Sequence, residues 1–301
     1  MTTTYLPQDY DVFIGLDVDK NSFSFTAQDH KVMSKAKKIA SQPEQLHNYV
    51  KNQFANKRIL FAYEAGPTGY DLYDYLSKKE QDCLVVSPLS IPKAPNQKVK
   101  NNRIDSKKIV EELKAGKLKS IRVPKGIYRE LRHLINLREN YARNRIVAKQ
   151  RIKSLLLYTS LHTELKDIEQ NWSNNYIKAL EKLPCSDAVR KRLNMLLMDL
   201  DYARQQTSAI LRELRTFIKN HKEMQSYMQY LISIPGIGFI TAITILGRIG
   251  DPENLKNVRE LSAFVGLIPT ENSTGDNVNY GSITHLGSLQ QIILYQNLLN
   301  L

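Results

Sequence analysis

The sequence predicts an α/β domain followed by helices, and three observations carry that reading. Short apolar runs alternate with helix-like segments over residues 11–86, two long apolar stripes at three- and four-residue spacing fill the middle, and a Pro-Gly-Ile-Gly turn between apolar helices opens the remainder. The pattern divides the 301 residues into an α/β domain (1–125), a helical coiled-coil arm (126–225) and a small helical domain (226–301).

Residues 12–16 are apolar, 22–27 alternate around Phe23 and Phe25, and 32–39 read as a more polar third strand, which gives an antiparallel start. A helix over 42–52, a buried strand over 58–63, a helix over 67–79 and a strand over 83–86 follow, so the sheet is partly parallel. The stretch 87–100, with Pro88, Pro92 and Pro95, is irregular and delivers the chain into a helix that begins near Asp105. Pro124-Lys-Gly126 closes the domain. Helical periodicity runs over 127–158 through Leu131, Leu134, Arg138, Tyr141, Arg145, Ala148, Ile152 and Leu155, and again over 187–221. These two segments pair either as an antiparallel hairpin or across a dimer.

A net charge of +13 and a pI near 9.5 point to a polyanionic partner, most directly nucleic acid. Arg122, Lys125, Arg129, Arg132, Arg138, Arg143, Arg145, Lys149, Arg151 and Lys153 face only Glu130 and Glu139 in the same stretch, whereas a solvated helix mixes its signs. Cys83 and Cys185 stand apart in apolar contexts, which fits a reducing compartment and no catalytic thiol. No apolar stretch approaches the roughly 20 residues that span a bilayer, and the N-terminus lacks a signal pattern, so a cytoplasmic protein with no membrane partner is expected.

Asp17 ends one apolar run, Glu64 ends another, and Asp105 opens the helix after the proline-rich stretch. Each acid alone is as well explained as a solvated strand end or a helix cap. As a set they offer oxygen ligands suited to Mg²⁺, and acids on the first strand, the fourth strand and the last helix follow the order of RNase H-like nucleases, in which two ions assist phosphoryl transfer. Lys100, Arg103, Lys107 and Lys108 flank the acids and suit a phosphate backbone. Gly236 and Gly238 in Pro-Gly-Ile-Gly either expose backbone amides to a DNA phosphate or form a helix-helix turn inside the core.

Five segments together resemble the DEDD insertion-sequence transposases related to the Piv invertase, a family of bridge-RNA-guided recombinases. They are Gly-Leu-Asp17-Val-Asp-Lys, Tyr-Glu64-Ala-Gly-Pro-Thr-Gly69-Tyr70, Lys100-Asn-Asn102-Arg-Ile-Asp105-Ser, Ile234-Pro-Gly-Ile-Gly and Gly266-Leu-Ile-Pro269-Thr-Glu-Asn-Ser273-Thr-Gly275, in order over nearly the whole chain. The resemblance implies a RuvC-like N-terminal domain, a coiled-coil arm and a helical C-terminal domain with a serine nucleophile. It implies DNA transposition or site-specific recombination on double-stranded donor and target DNA, guided by a structured noncoding RNA, in a homodimer or tetramer. Asp17, Glu64 and Asp105 become the Mg²⁺ ligands and Ser273 the nucleophile, with Thr274 one residue away. Asn102 stands where the family carries an aspartate, so the site keeps a carbonyl oxygen and loses one charge. The stretch from Gly281 to Gly287 follows the family, Ser288 replaces its asparagine, and the chain stops at Leu301 where relatives continue. Two rival readings are a nucleic-acid-binding regulator of reduced activity and a RuvC-like nuclease that uses water.

Overall fold

A computed structural model describes residues 5–91, 102–166, 168–255, 257, 269–271 and 280–283, in two compact units, Met1–Val123 and Pro124–Leu301. In the first unit, β1 (Val12–Val18), β2 (Ser22–Gln28) and β3 (Lys37–Ala40) form an antiparallel meander. Then α1 (Pro43–Gln53), β4 (Ile59–Glu64), α2 (Asp71–Lys78) and β5 (Asp82–Val86) add two strands parallel to β1, giving the order β3-β2-β1-β4-β5. That mixed five-stranded sheet is compatible with an RNase H-like domain.

The central strands are apolar on both faces because helices cover both. Val12, Ile14, Leu16, Phe61 and Tyr63 pack with Leu46 and Val50 of α1 and with Leu72 and Leu76 of α2. Across the sheet, Phe13, Leu60, Ala62 and Leu84 meet Ile109, Val110 and Leu113 of α3 (Asn102–Lys114). The approach of α3 to β1 is close enough to require glycine. A Cβ on Gly15 would run into the Ser106 carbonyl oxygen and lie 2.5 Å from the Val110 nitrogen, both backbone atoms. Beside it, the buried hydroxyls of Ser106 and Thr26 share a 3.0 Å hydrogen bond, which satisfies two polar groups inside the contact.

Two boundaries differ from the sequence expectation for physical reasons. The third strand begins at Lys37, since the Asp29 carboxylate accepts from the Lys31 and Val32 amides at 2.7 and 2.6 Å and turns the chain back first. Ser34 then occupies Ala27, exchanging hydrogen bonds of 2.8 and 3.0 Å with its carbonyl and amide. The second helix begins at Asp71 because Gly69 has φ +74, which no right-handed helix contains. The third helix starts at Asn102, so Asp105 lies within its first turn.

The second unit is built on α4 (Ile127–Tyr158) and α6 (Asp187–Asn220), with α5 (Asn174–Lys182) between them in sequence. Leu131 and Ile135 near the start of α4 pack with Ile210, Leu214 and Ile218 near the end of α6. Ile152 and Leu155 near the end of α4 pack with Leu193 and Leu197 near the start of α6, so the pair is antiparallel within one chain. After it come α7 (Lys222–Ile232), α8 (Phe239–Ile249) and the antiparallel strands β6 (Pro269–Glu271) and β7 (Tyr280–Ile283). The end of α8 is fixed to α4 by charge. Arg132 donates to the carbonyls of Gly247 and Arg248 at 2.6 and 2.7 Å, satisfying orphan groups of the last turn, and Arg248 donates to both Glu139 oxygens at 2.9 and 3.1 Å. No helix among the described residues is long and apolar enough to cross a membrane.

Replacing Gly15 with alanine forces α3 off the sheet, and we expect a loss of about 3 kcal/mol in chemical denaturation of the full chain. A loss below about 1 kcal/mol would show that α3 yields without consequence.

Candidate active site and basic helix

Strand parity places the first two acids. Phe13 and Gly15 face α3, so Asp17, two residues on, ends the same face of β1. Leu60 and Ala62 face α3 from β4, which puts Glu64 on that face as well. The parallel register pairs Gly15 with Ala62 and Leu16 with Tyr63, so Asp17 and Glu64 are the next step of neighbouring strands. Asp17 is half-buried opposite Ser24 of β2, and Glu64 is exposed opposite Val86 of β5. Asp105 is half-buried in the first turn of α3, directly before the buried Ser106, where a carboxylate also complements the helix dipole.

The close packing of α3 on Gly15 therefore delivers a third acid to the face that carries the other two. Oxygen-only donors suit Mg²⁺. Among the described residues, no three His, Cys, Asp or Glu side chains stand near enough to hold one ion, so the described arrangement supplies the right donor chemistry without a closed three-acid group. Asn102 and Arg103 lie in the first turn of α3, while Lys100, Ser273 and Thr274 lie outside the described residues.

Farther along α3, Lys107, Lys108 and Glu111 line a cleft of about 860 Å³ with Lys35, Ser34 and Thr26. Lys107 reaches Glu111 at 3.8 Å, an exposed pair of little energetic weight. The Cys83 thiol is pushed up by burial and stays protonated, so it offers no nucleophile.

The basic residues of α4 separate into three environments. Arg143, Arg151 and Lys153 are exposed. Arg129 and Arg132 are partly buried and serve the fold, Arg129 donating to the Pro124 carbonyl at 3.0 Å and Arg132 holding α8. Arg138, Arg145 and Lys149 lie in the packed face toward α6. There Arg204 of α6, which charge counting along α4 cannot reveal, joins them. Its signal in the sequence is a cation in the apolar stripe between Leu200 and Thr207.

Gly236 and Gly238 lie in the exposed link between α7 and α8. Gly236 has φ +86, both glycines are exposed, and a Cβ on either would meet no atom of the described residues within 4 Å, so the turn is at the surface. Ile237 alone of that motif packs inward, beside the cluster of α4, α6, α7 and α8.

Removing the Arg132 side chain should lower stability by about 1–3 kcal/mol through the unsatisfied carbonyls of α8. Arg151→Ala should stay within about 0.5 kcal/mol in the same denaturation experiment. Equal effects would contradict this division of roles.

Two family profiles match the chain in order. Residues 14–160 match a profile described as "Transposase", of the DEDD IS110 type, and residues 228–293 match the "Transposase IS116/IS110/IS902 family". The chain is 26% identical over 278 residues to the transposase for insertion sequence element IS1328 of Yersinia enterocolitica, covering 91% of this chain and 78% of that protein. It is 22% identical over 262 residues to the transposase for insertion sequence element IS1533 of Leptospira borgpetersenii, covering 84% and 74%. With the Sinorhizobium fredii protein y4qE it shares 27% identity over 235 residues, 77% of this chain but only 55% of that relative, so it spans about half the relative's length. The first match covers the sheet that presents Asp17 and Glu64, α3 and all of α4, and the second covers α8 and the segment containing Ser273; with both in order, the chain belongs to the IS110/IS116 transposase family.

Proposed function

We propose that this chain cuts and rejoins DNA during transposition, with Asp17, Glu64 and Asp105 forming its metal site. The observation that carries the reading is the placement of Asp17 and Glu64 at the ends of neighbouring parallel strands, on the face against which α3 is pressed. Family membership and relatives named as transposases support it.

In this reading the three carboxylates hold Mg²⁺, which supplies Lewis acidity to a phosphodiester when bound. Asp17 and Glu64 at the two strand ends and Asp105 in the first turn of α3 would be the residues that hold the ion. Lys107 and Lys108, on the same helix as Asp105, hold the DNA backbone beside it. The Ser273 hydroxyl attacks phosphorus, its proton passing to solvent, as the bond from phosphorus to one deoxyribose oxygen breaks, leaving a serine–phosphate ester on one DNA end and a free sugar hydroxyl on the other. A serine needs help to do so, because its free hydroxyl is a weak nucleophile. Its place within the segment matched by the second family profile supports the assignment. The exposed Arg143, Arg151 and Lys153 contact nucleic acid through phosphate, and a structured RNA selects the DNA. Such a protein needs no base-reading helix of its own. The long α4–α6 pair serves as a coiled-coil arm between an N-terminal catalytic and a C-terminal domain, and joins subunits in a dimer or tetramer.

The test is incubation of the full chain with donor DNA, target DNA, the cognate noncoding RNA and Mg²⁺. Asp17→Asn and Glu64→Gln should each reduce cleavage by at least about a hundredfold while DNA binding persists, since even the outer partners of metal ligands are worth about 10- to 100-fold. Ser273→Ala should abolish a protein-DNA adduct. Cleavage that survives Ser273→Ala identifies a water-using nuclease. Binding without cleavage identifies a regulator, the reading that Asn102 at the start of α3 favours, and cleavage gained on Asn102→Asp would locate the deficit there.

A further inference from the structure

The apolar core of the second unit is interrupted midway along the α4–α6 pair. One cluster gathers the start of α4 with the end of α6, another gathers the end of α4 with the start of α6 and α5, and between them lie Ala142, Ala203 and Thr207, all buried and small. Cations run along the packed face on either side of this level. Arg138, Arg145 and Lys149 follow one another at seven- and four-residue steps on the packed face of α4, and Arg204 lies across on α6.

Arg138 is 8% exposed, and its buried Nε has no hydrogen-bond partner among the described residues. Arg204 donates through Nη2 to the Trp172 carbonyl at 2.6 Å, and the Lys149 ammonium sits 5.2 Å over the Trp172 ring. Tyr141 and Tyr202 meet edge to face at 6.0 Å on the same two helices. The described carboxylate whose field reaches Arg138 is Glu139, and both of its oxygens are held by Arg248.

Four like charges brought together with partial loss of water oppose folding unless something negative joins them. Burial and the neighbouring Arg145 depress Arg138; burial and Arg204 depress Arg145; burial, Arg145, Arg204 and Lys153 depress Lys149. Arg138, Arg145 and Lys149 therefore feel neighbouring cations more than any described acid. A phosphate matches this set. It accepts from several guanidinium nitrogens at once, and Arg forks bind it bidentately.

We infer that the waist of the α4–α6 pair is a binding site for a backbone phosphate of nucleic acid, held by Arg138, Arg145, Lys149 and Arg204. It rests on the nucleic-acid function proposed above and adds a built site to it, separate from the exposed cations of α4. Trp172 contacts both Lys149 and Arg204, and the small residues Ala142 and Ala203 are buried along the same pair of helices.

The test compares Arg145→Gln/Arg204→Gln with Arg192→Gln/Arg212→Gln, which removes the same charge from exposed positions on α6. Binding of the full chain to labelled duplex DNA and to a labelled RNA hairpin is measured by fluorescence anisotropy over a salt series. The waist variant should weaken binding to one or both by at least about tenfold and lower the salt slope by about one. The control should change affinity by less than about threefold. Without nucleic acid the waist variant should lose less stability than removal of Arg132, because relief of repulsion offsets the lost hydrogen bond from Arg204 to the Trp172 carbonyl. Inorganic triphosphate should raise the melting temperature of wild type and not of the waist variant.

Equal loss in the two variants, or falling stability with unchanged affinity, would overturn the site. So would a triphosphate effect without nucleic-acid binding by wild type. Wild-type binding that the waist variant retains sinks the waist alone, whereas loss of DNA cleavage in the catalytic test bears only on the metal site.

Discussion

The contact of α3 with Gly15 is the constraint on which the first unit depends. A helix can lie this close to a strand only where the strand has no side chain, and here the helix backbone occupies the space that a Cβ would need. The contact has two consequences. It buries Ser106 against Thr26, whose hydrogen bond removes the penalty of two enclosed hydroxyls, and it brings Asp105 to the face on which β1 and β4 end in Asp17 and Glu64. One position therefore sets both the packing of α3 and the place of the acid proposed as a ligand. Asp17 and Glu64 sit at the edge of the core, half-buried and exposed, at the ends of paired strands, and Asp105 is half-buried on α3.

The second unit uses charge in two different ways. Where Arg132, Glu139 and Arg248 tie α8 to α4, every charged group has an identified partner and the arrangement fixes a helix end. At the waist, cations face cations. The difference separates positive charge that serves the fold from positive charge that awaits an anion, and net charge alone does not make that separation. Gly247 strengthens the first use, since Ile135 occupies the space beside its Cα and lets α8 cross α4 closely.

Much of this architecture was legible in the sequence, for reasons that can be named. Asp17 and Glu64 stood out because each is the charged residue that ends an otherwise apolar run, and residues 127–158 read as a helix whose observed span is Ile127–Tyr158. Ordered motifs carried the family. The late start of β3 was hidden because a local Asx turn at Asp29 outcompeted strand pairing over residues 32–36. The start of α2 was hidden because Pro67 resembles a helix opening, while the decisive residue was Gly69. Arg204 was invisible for a different reason: its meaning depends on α4 lying across from it, and a contact between residues far apart in sequence has no local pattern. The α7–α8 turn admitted both a buried and an exposed reading, and the exposure of Gly236 and Gly238 places it at the surface.

The central claim is that Asp17, Glu64 and Asp105 share one divalent ion, and paramagnetic broadening by Mn²⁺ tests it without any DNA. In amide spectra of the full chain, substoichiometric Mn²⁺ should first erase the signals of Val18, Ala65 and Ser106, the residues that follow the three acids, and Asp17→Asn should protect all three together. Broadening that spares these amides, or that survives unchanged in Asp17→Asn, would contradict the account.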